Sequence, residues 1–298
     1  MASVVYGDPP ADLVERPAGA VQVSPLVPGA ASLEDRAAAS LDAVAMAAPP
    51  GTLERRYALA LALRALKPGA PLTALAPKDK GGSRIGRELA AFGCKVEEEG
   101  RRHQRICRTV RPPEPVGVEA AIAEGEPRRD GELWTQPGVF SWDRLDPGSR
   151  LLLSALPPLK GRGVDLGCGI GVLSRAVLAS PAVTRLDLVE IDRRALEAAR
   201  RNVMDERAQF HWADARTAPE LDGLDFVVTN PPFHEGGNED RALGLAFLRR
   251  AHRALRKGGV LWVVANRHLP YEALLAELFG KPVLKADSGG FKVYEARK

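Results

Sequence analysis

Asn230, Pro231, Pro232 and Phe233 follow directly on the apolar run Phe226-Val227-Val228-Thr229. Two successive prolines bring no backbone N–H and hold φ near about −65°, so the Asn230 side chain and the neighbouring carbonyls are offered as acceptors where a strand ends. Phe233 adds a flat apolar face. This set suits a planar ring that bears an amino group. The ring stacks on Phe233, while Asn230 Oδ1 and the Pro231 carbonyl accept the amino hydrogens and aim the nitrogen lone pair. Such a pocket needs orientation more than it needs a strong general base.

A second constellation lies upstream in Val164-Asp165-Leu166-Gly167-Cys168-Gly169-Ile170-Gly171. Glycines at 167, 169 and 171 remove the Cβ atoms that would block a tight turn and close approach of a ligand, and the helix expected to follow supplies unpaired N–H groups. Nineteen residues beyond Gly171 the next apolar run ends in Val189-Glu190, which places Glu190 to accept hydrogen bonds from ribose hydroxyls. By themselves these features also fit a dinucleotide-binding fold. The Asn-Pro-Pro-Phe run on a later strand tips the reading toward an amine aligned with a bound methyl donor.

These residues need strands that end together. From residue 134 onward the sequence alternates apolar runs with helical segments: helix around SRLLLSALPP, strand GVDLG, helix VLSRAVLAS, strand RLDLVEI, helix RRALEAARRNV, strands QFHWA and DFVVTN, helix RALGLAFLRRAHRAL, strand VLWVVAN, helix YEALLAELFG, and strands KPVLKA and FKVYEA. That order predicts a seven-stranded, mainly parallel α/β sheet covered on both faces and closed by an antiparallel hairpin. The first half is less regular. LERRYALALALRAL reads as a helix, PLTALA as a buried strand, RIGRELAAFG as a helix and KVEEEGRRHQRICRTVRP as one or two exposed strands. Before residue 50, VQVSPLV has strand length, and LEDRAAASLDAVAMA reads as a helix closed by Pro49, Pro50 and Gly51. Residues 112–138, rich in Pro, Gly and charge, read as a linker, so the domains are drawn at 1–125 and 126–298.

The halves echo one another. LRALKPGAPLTALAP at 63–77 matches HRALRKGGVLWVVAN at 252–266 at a constant offset of 189, and AAFGCKV at 90–96 is echoed by LFGKPV at 278–283. The expected architecture is therefore two Rossmann-like domains in tandem, the first a decayed copy without the glycine-rich and Asn-Pro-Pro motifs. The 298 residues allow two domains. Their 42 Lys and Arg against 38 Asp and Glu leave a net charge of only +4. Affinity for an anionic polymer would thus have to come from charge placement. Arg101, Arg102, Arg105, Arg108, Arg111, Arg128, Arg129 and Lys160 are the candidate phosphate contacts, with solubilising surface as the alternative.

Cys94, Cys107 and Cys168 make neither a disulfide framework nor a zinc set. His211, His252 and His268 lack neighbours at metal-ligand spacing, so no metal is expected. There is no basic stretch leading into a long apolar run and no apolar run long enough to span a membrane, which points to a cytoplasmic protein. Asp192 fits a helix start. Trp262 is expected in the core, and Trp142 is either part of a lid or an apolar anchor.

VDLGCGIG, VEID, ADA at 213–215 and NPPFHEGG resemble the motifs of S-adenosylmethionine-dependent N-methyltransferases. With PGVFSWDRLDPGSRLLL, VANRHLPY and FKVYEA they are closely similar to the bacterial 16S ribosomal RNA guanine-N2 methyltransferase family and its large-subunit relative. The resemblance is strong from 134 to 298, diffuse from 50 to 125 and thin before that. It implies methyl transfer from S-adenosylmethionine to a guanine N2 of ribosomal RNA in a small-subunit particle by a monomer, with the first domain positioning RNA. Asp165, Gly167, Gly169 and Gly171 would line the methionine part of the cofactor, Glu190 would hold the ribose, and Ile191 and Asp214 would hold the adenine. Phe140 and Ser141 would form a lid. Asn230, Pro231 and Phe233 would hold the target base, and His234 would be pocket wall. Guanine-N2 methylation of 23S RNA, adenine-N6 methylation of nucleic acid, glutamine-N5 methylation of protein, and a non-catalytic RNA-binding assembly factor stand as alternatives.

Overall fold

A computed structural model describes residues 2–217, 221–232, 238–268 and 271–298, and for 238–241 the backbone alone. The chain forms two compact units, Met1–Pro127 with Gln136–Gly138, and Arg128–Thr135 with Val139–Lys298.

The first unit contains β1 (Ser3–Tyr6), β2 (Val21–Gln22), β3 (Ala43–Ala47), α1 (Thr52–Ala65), β4 (Pro71–Pro77), α2 (Gly82–Ala91), β5 (Glu97–Arg101), β6 (Gln104–Val110) and α3 (Val118–Gly125). Its six strands run in the order β2-β1-β3-β4-β6-β5, with β2, β1, β3 and β4 parallel and β6 antiparallel to both of its neighbours. Alanine and leucine make α1 a strong helix former. Leu59, Leu61 and Leu63 in α1 are buried with Leu72 of β4 and Ile85 and Leu89 of α2, each such side chain contributing about 1.5–3 kcal/mol.

The alanine-rich segment expected as a helix before residue 48 is instead a turn followed by strand β3. The N–H groups of Ala39, Ser40 and Leu41 donate to the Arg64 and Ala65 carbonyls at the end of α1. This satisfies carbonyls that a helix leaves open, and central pairing between β1 and β4 overrides the helix propensity of alanine. Two elements also lie inside the stretch read as a linker: α3, which packs on α1, and the hairpin of β7 (Arg128–Asp130) and β8 (Leu133–Thr135).

The second unit continues with α4 (Pro147–Ala155), β9 (Gly161–Leu166), α5 (Val172–Leu178), β10 (Val183–Glu190), α6 (Arg193–Asn202), β11 (Ala208–Trp212), β12 (Leu224–Thr229), α7 (Asn238–Ala254), β13 (Leu255–Asn266), α8 (Tyr271–Phe279), β14 (Val283–Ser288) and β15 (Phe291–Arg297). The seven-stranded sheet has the order β11-β10-β9-β12-β13-β15-β14, parallel through β13 and closed by an antiparallel β14–β15 pair, as the sequence pattern predicts. Successive residues point to opposite faces. Val227, Leu261 and Val263 join one core, while Phe226, Val228, Trp262 and Val264 join the other. Both faces are therefore covered.

The two sheets correspond strand by strand. Met46 pairs with Ala74 in the first, and Thr229 pairs with Val263 in the second; Ala74 and Val263 are related by the offset of 189. Carried across the registers, this match sets Tyr6 against Leu166 and Cys107 against Tyr294. Strand β11 has no counterpart among the described residues of the first unit.

Candidate active site

The chain leaves β9 to build β10 and β11 on one side, then crosses to build β12 and β13 on the other. Strand order thus reverses between β9 and β12, where open α/β sheets form a crevice beyond their carboxyl ends. Glu190 closes β10, and the glycine loop, Asp214 and Asn230 follow the carboxyl ends of β9, β11 and β12.

The loop after β9 is held by Gly167 and Cys168 N–H groups donating to the Val189 carbonyl at 2.9 and 3.1 Å. Gly167 and Gly169 have φ of +72° and +54°, the left-handed region that glycine enters without steric cost. A Cβ on Gly169 would meet nothing within 4 Å, whereas one on Gly171 would lie 2.8 Å from Val203 Cγ2. Gly169 therefore faces open space. Gly171 packs the loop against α6 and lines neither of the cavities described below.

Asp165 is fully buried, accepts a 2.6 Å hydrogen bond from Ser174 Oγ, and keeps Oδ1 without a partner. Burial, opposed by the Ser174 bond and helped by nearby Glu190, pushes its pKa up to about 7. Glu190 accepts three backbone N–H groups: Gly169 at 2.8 Å on Oε2, and Ile191 and Asp192 at 2.8 and 2.9 Å on Oε1. Desolvation still raises its pKa. Three of the roughly four lone-pair sites of this carboxylate are occupied, so Glu190 fixes the glycine loop in addition to facing the cavity. Asp214 is held by the Arg216 guanidinium, which keeps its carboxyl below the usual range.

Asn230 follows β12, which Thr229 Oγ1 ties to β9 by donating to the Leu166 carbonyl at 2.7 Å. Asn230 Nδ2 donates to Asp146 Oδ2 at 2.9 Å and to Ser149 Oγ at 2.8 Å. Its Oδ1 is buried and has no partner among the described residues. Pro231 is buried behind it. Phe233 and His234 lie outside the described residues.

Two adjoining cavities share Phe140, Gly167, Gly169 and Asn230. The larger, about 690 Å³, extends along Glu190, Ile191 and Asp214; the smaller, about 210 Å³, along Trp142, Asp146 and Ser149. Phe140 is 57% exposed at their junction, where an aromatic ring is available to cover a ligand. Neighbouring Ser141 has φ +58° and its hydroxyl donates to the Arg144 carbonyl. Trp142 is cavity wall, with the Arg128 guanidinium 5.2 Å over its ring.

Sequence reasoning missed Asp146 and Ser149. Asp-Pro-Gly-Ser does carry a helix-start signal, since Asp146 caps α4 by accepting the Ser149 N–H at 2.7 Å, but nothing local points to Asn230, 84 residues away. Asp192 is the cap of α6 and is held by Arg194. His211 pairs with Asp187, and His252 packs edge-on against Phe279. Among the described residues no cluster of His, Cys, Asp and Glu is arranged to hold a metal, and no helix is long and apolar enough to cross a membrane.

The arginine strip is largely neutralised. Arg102, Arg105 and Arg108 pair with Asp12, Glu98 and Glu99. Arg111 donates to the Leu63 carbonyl at 2.8 Å, near the end of α1. Glu98 and Glu99 on β5 thus partner Arg105 and Arg108 on β6, so these candidate phosphate contacts stand paired with carboxylates at the surface.

The family profile of the methyltransferase small domain matches residues 130–295. Proteins named ribosomal RNA small subunit methyltransferase C are 34% identical over 287 residues in Pseudomonas paraeruginosa, covering 93% of this chain and 86% of that protein, and 31% identical over 268 residues in Shewanella loihica, covering 87% and 78%. The chain belongs to the ribosomal RNA small subunit methyltransferase C family. A solved family member, the T. thermophilus 16S rRNA N2 G1207 methyltransferase (RsmC) in complex with AdoMet and guanosine, superposes with a TM-score of 0.79 at 26% identity, covering all of this chain and 88% of that one. The S-adenosylmethionine-dependent α/β fold expected from the motifs is thus the fold of this family.

Proposed function

We propose that this enzyme transfers the methyl group of S-adenosylmethionine to the exocyclic N2 of a guanine in 16S ribosomal RNA of a small-subunit particle. The observation that carries the reading is Asn230: a half-buried amide lining both cavities, whose hydrogens are both taken and whose buried oxygen has no partner among the described residues. A buried acceptor left open costs about 1–3 kcal/mol, a cost that an incoming N–H removes. The neighbour solved with AdoMet and guanosine supports the assignment of both ligands.

The residues present fit the cofactor. Asp165 Oδ1 is an orphaned buried acceptor, Gly169 leaves open space where a Cβ would stand, and Ile191 offers an apolar edge that is 36% exposed. Asp165, Gly167 and Gly169 would hold the methionine part, Glu190 the ribose, and Ile191 and Asp214 the adenine, with Phe140 covering them. When bound, S-adenosylmethionine supplies a methyl on a cationic sulfur, which an amine lone pair displaces as the sulfur becomes a neutral thioether and the amine sheds a proton. Asn230 Oδ1 and the Pro231 carbonyl accept the two N–H groups of guanine N2, orient its lone pair and stabilise the positive charge that develops there. Phe233 would stack on the base. A paired guanine must first be exposed to reach them.

The first unit, which lacks these groups, serves RNA positioning. The chain acts as a cytoplasmic monomer, a reading supported by the covalent pairing of two related units. Ribosomal particles incubated with tritiated S-adenosylmethionine should yield labelled N2-methylguanosine in 16S RNA. Label in 23S RNA, in N6-methyladenosine or in protein would overturn the assignment.

A further inference from the structure

We propose that Asp146 and Ser149 are positioning residues that set which end of the Asn230 amide faces the methyl acceptor. The proposal deepens the reading of Asn230 as the acceptor of amine hydrogens and rests on it.

A carboxamide is nearly symmetric in shape but opposite in polarity at its two ends. Turned by half a rotation, Asn230 would present N–H donors to an incoming amino group and repel it. The cavity alone does not choose between the two, because both ends have similar size. Asp146 does choose. An aspartate carboxylate only accepts, so its Oδ2, 2.9 Å from Asn230, requires the NH₂ end on its side. The reversed amide would set two acceptor oxygens against each other. Ser149 Oγ, at 2.8 Å, takes the second amide hydrogen, but a hydroxyl can donate or accept and would tolerate either orientation.

Asp146 is itself held. The same Oδ2 accepts the Ser149 N–H at 2.7 Å as the cap of α4, and Pro147 fixes the first helical position. Gly148 keeps the place clear, since a Cβ there would lie 3.0 Å from Asp146 Oδ2 and 3.0 Å from the Phe291 ring. The order of control runs from the start of α4 to Asp146, from Asp146 to the Asn230 amide, and from there to the open Oδ1. The carboxylate behind the amide also polarises its oxygen in the sense that favours a developing positive charge on the acceptor nitrogen.

The test separates capping from orientation. Ser caps a helix as well as Asp does, and its hydroxyl donates as readily as it accepts, so Asp146→Ser should leave the melting temperature unchanged while permitting either amide orientation. Its single-turnover rate on ribosomal particles should fall about 10- to 100-fold, with S-adenosylmethionine affinity measured by calorimetry within about twofold of wild type. Ser149→Ala should lose only a few-fold. The decisive variant is the double change. Asn230→Asp alone places two carboxylates together and should be inactive. Adding Asp146→Asn puts an NH₂ where Oδ2 stood, a donor behind an acceptor at the cost of the α4 cap, so the pair should recover at least tenfold over Asn230→Asp, which no purely structural role of Asp146 would produce. A wild-type rate for Asp146→Ser, or no recovery in the double variant, overturns the proposal while leaving Asn230 as acceptor. A wild-type rate for Asn230→Ala overturns the acceptor reading and the proposal with it.

Discussion

The two units of this chain hold their sheets in the same way and treat the ends of their strands in opposite ways. Gly7 ends β1 with φ +73°, as Gly167 ends β9 with φ +72°, and the register places the two at equivalent positions. Around that shared turn the chemistry differs. By the same register Val5 stands where the second unit has Asp165, Pro9 where it has Gly169, Ser24 where it has Glu190, and Ala47 where it has Asn230. Pro9 has no N–H to donate, whereas the Gly169 N–H anchors Glu190.

The space beyond β3 is also used differently. Arg55 is fully buried, donates to both Glu88 oxygens at 2.6 and 2.7 Å, and donates to the Pro49 and Pro50 carbonyls at 3.2 and 2.7 Å. The second unit leaves Asn230 Oδ1 open beyond β12; the first fills the corresponding region with an ion pair. A doubly wound sheet needs apolar strands and a tight first turn, and both units keep these. A site needs a few polar groups left deliberately unsatisfied, and a few substitutions are enough to remove it without disturbing the fold.

The contrast can be broken from either side. Arg55→Ala leaves Glu88 buried without its partner, and the first unit should lose about 3–5 kcal/mol, read by denaturant unfolding, while S-adenosylmethionine affinity stays unchanged. A weakened cofactor affinity would mean that the units are not functionally separate. Asn230→Ala should do the reverse. Its single-turnover rate should fall about 100- to 1000-fold, with thermal stability unchanged or slightly raised, because a buried unpaired acceptor is removed.

Asp165 gives a pH-dependent effect with a defined sign. Its folded pKa of about 7 lies above the ordinary 3.8, so the unfolded state ionises first and the residue costs stability as pH rises. The cost is absent below about pH 4, grows between the two values and is complete above 7, on the order of 4 kcal/mol. The stability difference between Asp165→Asn and wild type, both without cofactor, should therefore shift toward the variant between pH 4 and 7. A difference constant with pH would show that Asp165 is not held in this state. The smallest effect is expected from Arg102, Arg105 and Arg108, whose charges are already paired. Replacing all three with alanine should lower the slope of log affinity for RNA against log salt by less than about one, where the loss of three free phosphate contacts would lower it by about two to three. A loss of about two or more would show that the arginines exchange their partners for phosphate.

Much of this was legible in the chain itself. The second sheet, its closing hairpin and the clustering of Gly167, Gly169, Glu190 and Asn230 at strand ends follow from alternating apolar runs and the motifs between them, because local periodicity dictates the elements and parallel strands must end together. The offset of 189 likewise pointed to the kinship that the strand registers display. The first fifty residues were the hardest to read. Alanine favours a helix wherever tertiary pairing does not intervene, and only the sheet shows that Ala43–Ala47 lies between two strands.

The sequence alone determined which residues could bind and transfer. The tertiary structure decided how they are held. It paired Arg105 and Arg108 with neighbouring carboxylates, turned Gly171 inward against α6, and brought Asp146 and Ser149 to Asn230 across more than eighty residues. Residue types and spacing specify which groups are present, but the direction of an amide and the pairing of a charge depend on neighbours that are distant in the chain.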